Sequence, residues 1–198
     1  FYISEVAPAK LKDILKTGIE MLAAIPSVVL GFIGMTTLVP WVKKTFHLPT
    51  GLTALSGSIM LGLMAMPTII SISEDAINAV PKSYKEGALA LGATRWQAMY
   101  RVVIHAALPG IIAASMLGIG RVIGETMAVM MITGNAAVIP QTFLQPVRTL
   151  TATIAAEMGE TVHGSNHYYS LFAIGIILFV LTFIINITAD MFLHRNKK

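Results

Sequence analysis

The chain has 198 residues, of which 55% are apolar and 12% charged, with a mean hydropathy of +0.74. That leaves too little polar surface for a water-soluble domain of this length, so the composition points to a protein whose solvent is lipid. The absence of cysteine excludes a disulfide framework, a thiol nucleophile and a cysteine-based zinc site, and a pI near 9.4 does not signal nucleic acid, because the basic residues flank apolar runs instead of forming a stripe with interleaved aromatics.

In chain order, FYISEVAPAKLKD has neither an initiating Met nor the charged start, apolar run and cleavage site of a signal peptide. It reads as the tail of an earlier helix followed by a turn at Pro8, which leads us to expect a fragment lacking upstream spans. Four apolar stretches, 17–39, 54–77, 110–133 and 169–189, are long enough to cross roughly 30 Å of hydrocarbon at about 1.5 Å per residue. Pro26 interrupts the first and Pro67 the second; neighbouring helices, hydroxyls or water re-satisfy the carbonyls such prolines free. Glu20 is expected at the bundle interface or the headgroup level. Gly31, Gly34, Ser56, Gly62, Gly118 and Gly120 are the residues expected to let helices approach closely. Glu74 and Asp75 end the second stretch. They are candidates for an inner gate or for binding basic loop residues, against the simpler reading of solvated interfacial carboxylates.

The segment 81–109 differs in character, being polar and punctuated by glycine. Ser83 and Glu86 have the S-x-x-E spacing of a capping box, which predicts a short helix starting there. Gly92 is placed to end it in the left-handed conformation, and Thr94 with Gln97 repeats the cap as T-x-x-Q for a second helix. Tyr84, Ala88 and Leu91, at i, i+4 and i+7, form a small apolar ridge suited to a partner's groove. An ordinary cytoplasmic loop is the alternative. His105, on the apolar stem that follows, reads as a hydrogen-bonded packing residue sooner than a proton relay.

Arg121 and Glu125, four residues apart, are expected on one helical face near the middle of the third span. Each charge costs roughly 2.5–3.5 kcal/mol at a helix centre, so the pair must face protein or water. It serves either a transport pathway or a structural lock between helices. In the following loop, 134–168, Glu157, Glu160 and His163 are candidates for a surface that receives an external protein, or for a solvated helix face. His163 and His167 have helical metal-ligand spacing, but Gly164 and Asn166 argue for a loop, so no metal is expected.

With 81–109 in the cytoplasm, that side carries Lys10, Lys12, Lys16, Lys82, Lys85, Arg95, Arg101, Arg195, Lys197 and Lys198, against Lys43, Lys44 and Arg148 opposite. The positive-inside bias then places both ends of the chain in the cytoplasm and 134–168 outside. No G-x-x-x-x-G-K-[ST] occurs, so nothing in the sequence cradles ATP phosphates.

EGALALGATRWQAMYRVVIHAALPG resembles the EAA loop of permease subunits in binding-protein-dependent ABC importers: EAA, three residues, glycine, nine residues, then I-x-L-P. Glu86, Ala88 and Gly92 match. Gly87 departs from the usual alanine, at about 1 kcal/mol for a glycine inside a helix, and Val102, Ile104 and His105 stand at the I, L and P positions, with Leu108-Pro109 following. The blocks IEMLAAIPSVVLGFIG, PTIISISEDAINAVP and IGRVIGETMAVMMITGN are similar to phosphate-specific permeases of the PstC type. This resemblance implies an all-α polytopic transmembrane helix bundle of the type I ABC importer permease fold, residues 1–198 forming one transmembrane domain in the cytoplasmic membrane. It implies Ser83, Tyr84, Glu86, Gly87, Ala88, Leu91 and Gly92 as the ATPase-coupling segment and inorganic phosphate as cargo. The implied partners are two ABC ATPase subunits carrying ATP and Mg, a second permease subunit, an extracytoplasmic phosphate-binding protein and membrane lipid, with no catalytic residue and no cofactor in this chain. Arginine, a fork of several donors, suits a tetrahedral oxyanion, so Arg121 becomes the candidate contact and Glu125 the group that prevents tight trapping. The alternatives are the sister phosphate permease, a permease for molybdate or sulfate, and a passive channel. An intramembrane enzyme is weakest, since no H-E-x-x-H occurs.

Overall fold

The structure, a computed structural model, describes residues 8–194. The expected tail of an earlier helix before Pro8, and Arg195, Lys197 and Lys198, lie outside the described residues. The helices are α1 Ala9–Ala24, α2 Ser27–Ile33, α3 Val39–Thr45, α4 Ala54–Asn78, α5 Lys82–Ala90, α6 Arg95–Gln97, α7 Ile104–Ile123, α8 Met127–Ile132, α9 Leu150–Glu157 and α10 Asn166–His194. π-helical stretches, Gly34–Leu38 and Ala98–Val103, join α2 to α3 and α6 to α7. Among the described residues the only β-type pairing is an isolated parallel bridge between Gly134 and Val147.

Among the described residues, three helical segments are long and apolar enough to cross a membrane: Ala54–Asn78, Arg95–Ile123 and Asn166–Met191. The second and fourth expected spans therefore stand within a few residues. The first does not run straight through 17–39. The helix breaks between Ala24 and Ser27, because Pro26 has no N–H to donate and biases Ile25 away from helix. The third span begins earlier and ends earlier than 110–133. Thr94 caps a helix that continues through Pro109 to Ile123, and Gly124, Glu125 and Thr126 then interrupt it.

The contacts divide the chain into two units. The first, among the described residues, comprises 8–24, 66–119 and 185–194. Its core is Ile77, Val103 and Ala107, with Val80 and Ile111 packed on them. Here a Cβ on Gly110 would lie 2.5 Å from the Ala76 Cβ, so α4 and α7 touch closely at that point. Lys10, Lys12, Lys16, Lys82, Lys85, Arg95 and Arg101, the described members of the cytoplasmic basic set, all fall in this unit, and Lys43, Lys44 and Arg148 all fall in the other.

The second unit comprises Ile25–Ala65 and Gly120–Ile184. Its core is Met60, Met64, Ala128 and Ile132, with Leu30, Leu38, Val39 and Met131 against it. α2 and the π-helical stretch lie along α8, where a Cβ on Gly34 would come within 2.6 Å of Ile132 Cδ1. Gly31, Gly34 and Ser56, like Gly118 in the first unit, are buried as expected of small residues in a bundle, and the Ser56 hydroxyl donates to the Gly51 carbonyl at 2.7 Å. Gly120 is half-buried, and Gly62 is exposed, with nothing within 4 Å of where a Cβ would stand. Gly34→Val should overfill the α2–α8 contact and cost about 1–3 kcal/mol. The expected result is a lower unfolding midpoint in detergent, with Gly62→Val as the control that leaves it unchanged.

Candidate functional site

The segment that joins α4 to α7 in the first unit is built from local chemistry. Pro81, at φ −56° and ψ 134°, sets the extended entry, and its carbonyl accepts the Tyr84 N–H at 3.1 Å. α5 thus begins at Lys82, and the predicted Ser83–Glu86 box is not formed: the residue before the helix is Pro81, which has no side-chain acceptor. Ser83 stands inside the first turn, where its own N–H is one of the unpaired donors a cap would serve. The other end forms as expected. Gly92 has φ +85°, its N–H donates to Leu89 O at 3.0 Å, and the Ala93 N–H donates to Ala88 O at 3.1 Å, the paired bonds of a Schellman stop. The second box is complete: Gln97 N donates to Thr94 Oγ1 at 3.2 Å, and Thr94 N donates to Gln97 Oε1 at 2.9 Å. Two short helices separated by one left-handed glycine result, and both ends of the bend are fixed.

This bend presents apolar surface. Leu91 is 91% exposed, and Tyr84, Glu86 and Gly87 are also exposed, while Ala88 is half-buried. Behind α5 lies a cleft of about 440 Å³ whose walls include Val80, Lys85, Leu89 and Val103. Two aromatic residues absent from the predicted ridge extend the surface beyond the bend: Trp96, 64% exposed, and Tyr100, also exposed. Their i, i+4 spacing after the Thr94 cap was the available signal. His105 is exposed on the stem, contrary to the expected packing role.

Glu74 and Asp75 diverge. The Glu74 side chain is 4% exposed, with Lys12 Nζ 3.4 Å from its Oε1 and the Asn78 amide donating to the same oxygen at 3.4 Å, whereas Asp75 is exposed. Glu74 thus binds a basic residue, one on α1 and not in a loop, and only Asp75 is the solvated carboxylate. The Lys12–Glu74 pair joins α1 to α4, a contact between residues far apart in sequence.

Arg121 and Glu125 do not share a helical face. α7 ends at Ile123, so the 3.6-residue period that would align them stops between them. The Glu125 carboxylate accepts from Thr126 N at 3.2 Å and Ala128 N at 3.5 Å, at the start of α8, and the Glu125 carbonyl accepts the Thr151 hydroxyl at 2.8 Å. A side chain that bonds the next backbone amides competes with helix continuation, which accounts for the break. Arg121 stands exposed in the last turn of α7, where a cation complements the helix dipole.

In the loop 134–168, Glu157 is held by Arg148 Nη1 and by His167 Nε2 at 3.0 Å, and Arg148 Nε donates to Asn135 O at 3.0 Å. Glu157 is thus a structural tie more than part of a free face, while Glu160 is exposed. Gly164, at φ +81°, separates His163 from α10, and His163 packs on Tyr168 with ring centroids 4.8 Å apart.

Residues 3–198 match the family described as binding-protein-dependent transport system inner membrane component. A probable ABC transporter permease protein of Bacillus subtilis, YqgH, is 42% identical over 99% of this chain and 63% of its own length. The phosphate transport system permease protein PstC of Mesorhizobium japonicum is 37% identical over 98% of this chain and 65% of its own, and a probable PstC of Methanocaldococcus jannaschii 31% identical over 100% and 67%. The chain spans just under two thirds of the length of the first two of these relatives. With its match running over nearly every residue and its helices long enough to cross a membrane, the chain belongs to the family of binding-protein-dependent transport system inner membrane components.

Proposed function

We propose that this chain is the membrane-spanning region of a permease subunit in an ABC importer of inorganic phosphate, with ATP hydrolysed by a separate subunit. The observation that carries the reading is the bend at Gly92: two capped helices hold Tyr84, Leu91 and Trp96 outward in water-facing chain, where only a partner would cover them. Two ATPase subunits holding ATP and Mg would receive this surface and move it. A second permease subunit would complete the pathway, and an extracytoplasmic phosphate-binding protein would deliver cargo to the 134–168 side. Phosphate as the cargo is supported by the names of the PstC relatives. The name of the Bacillus subtilis relative specifies no cargo, which keeps molybdate or sulfate as the second reading. Arg121 supplies the anion contact in this scheme, next to the break that Glu125 holds.

The deciding experiment is ATP-driven uptake by vesicles holding the full-length subunit with its co-purified partners. Phosphate accumulation that requires ATP, unaffected by excess sulfate or molybdate, is the expected result; uptake of either competitor in preference to phosphate would replace the cargo assignment, and gradient-driven flux without ATP would replace the class. Orientation has its own check. Cysteine introduced at Lys85 should resist an impermeant thiol reagent in intact cells and one at Gln141 should react, whereas labelling at position 85 from outside would invert the topology.

A further inference from the structure

α1 is too short and too charged to cross a membrane. Its 16 residues span about 24 Å against roughly 30 Å of hydrocarbon, and it carries Lys10, Lys12, Asp13, Lys16 and Glu20. Its residues separate into three faces. Within the first unit it turns Lys12 toward the buried Glu74, 3.4 Å away, with Leu15, Lys16 and Ile19 half-buried on the same side. A second face holds Asp13, Thr17 and Glu20, all exposed. The third is apolar and uncovered among the described residues: Leu11, Ile14, Met21 and Leu22 are exposed, Ile14 at 67% and Met21 at 68%, and nothing lies within 4 Å of a Cβ on Gly18 in the middle of the stripe.

A protein-fixed helix with one charged and one apolar exposed face matches the step in polarity at a bilayer surface, where the apolar side enters the acyl boundary and the carboxylates stay in water. Lys10, exposed at the edge of the apolar stripe, is placed to lay its methylene stem over apolar surface and its ammonium among lipid phosphates. We propose that α1 lies along the membrane–water interface as a lipid-contacting helix, with Leu11, Ile14, Met21 and Leu22 in the acyl boundary and the Lys12–Glu74 pair clamping it to α4.

The test uses nitroxide labels on single cysteines, Asp13→Cys, Ile14→Cys, Glu20→Cys and Met21→Cys, in the full-length subunit within its assembled complex. The vesicles are three parts phosphatidylethanolamine to one part phosphatidylglycerol, and collision with oxygen and with a water-soluble nickel chelate is read at each label. Labels at 14 and 21 should favour oxygen and report equal depths of roughly 5–10 Å below the phosphates, and labels at 13 and 20 should favour the nickel chelate. A depth difference near 10 Å between 14 and 21, the rise of seven helical residues, would overturn the proposal in favour of a crossing helix. Low collision with both reagents at 14 and 21 would assign the stripe to a protein partner instead, and nickel access at all four sites would place the helix in water. Labels at Leu11 and Leu22 repeat the comparison should either first-choice site disturb assembly.

Discussion

Gly92→Val is expected to abolish ATP-driven uptake while leaving membrane insertion intact. Gly92 holds φ +85°, a conformation that costs an L-residue roughly 1–2 kcal/mol and a β-branched one more. Among the described residues, no atom beyond its own chain neighbours lies within 4 Å of the position a Cβ would take, so the penalty is conformational and not steric crowding. The way to relieve it is to abandon the left-handed stop, which breaks the Gly92–Leu89 and Ala93–Ala88 bonds and re-aims Leu91 relative to Trp96. The spans pack through other residues, so the subunit should still insert. The measurement is ATPase association and phosphate uptake in vesicles, normalised to inserted subunit. Unaltered uptake would show that the bend is not the coupling element. Gly87→Ala provides the contrast: it fills open space in a helix at an ordinary conformation and should leave uptake intact or slightly raise helix stability.

Arg121→Met should reduce phosphate uptake to near background, and Arg121→Lys should impair it less, since lysine keeps the charge but loses the planar fork. Because Glu125 caps α8 through acceptor bonds, Glu125→Gln keeps an oxygen that can accept from Thr126 and Ala128 and should preserve the break. The double variant, Arg121→Met with Glu125→Gln, removes both charges without removing that acceptor. If the arginine contacts the anion, uptake by the assembled double variant stays lost. Recovery of uptake in the double variant would mean that the charges only balanced one another, and the pathway assignment would fall.

The lipid environment, the two central features of the bend and the approximate extent of two spans are legible in the residues alone. Apolar run length, the left-handed requirement filled by Gly92 and the Thr94–Gln97 reciprocity are all set within a few residues, and local chemistry decides them. The family was equally legible, through motif blocks that the match over nearly all of this chain bears out. Where competing local signals met, pattern was insufficient. Ser83 had the right spacing for a cap, yet Pro81 fixed the entry first; Arg121 and Glu125 had helical spacing, yet the carboxylate's bonds to the following amides ended the period between them. Long-range packing, by contrast, sets the burial of Glu74 against Lys12 while its neighbour Asp75 is exposed, the one covered and two uncovered faces of α1 among the described residues, and the close contacts at Gly34 and Gly110 while Gly62 faces open space. Those outcomes depend on which residues distant in sequence come within a few ångströms, and burial of a charge or the room for a Cβ is a property of that neighbourhood, which spacing along the chain does not encode.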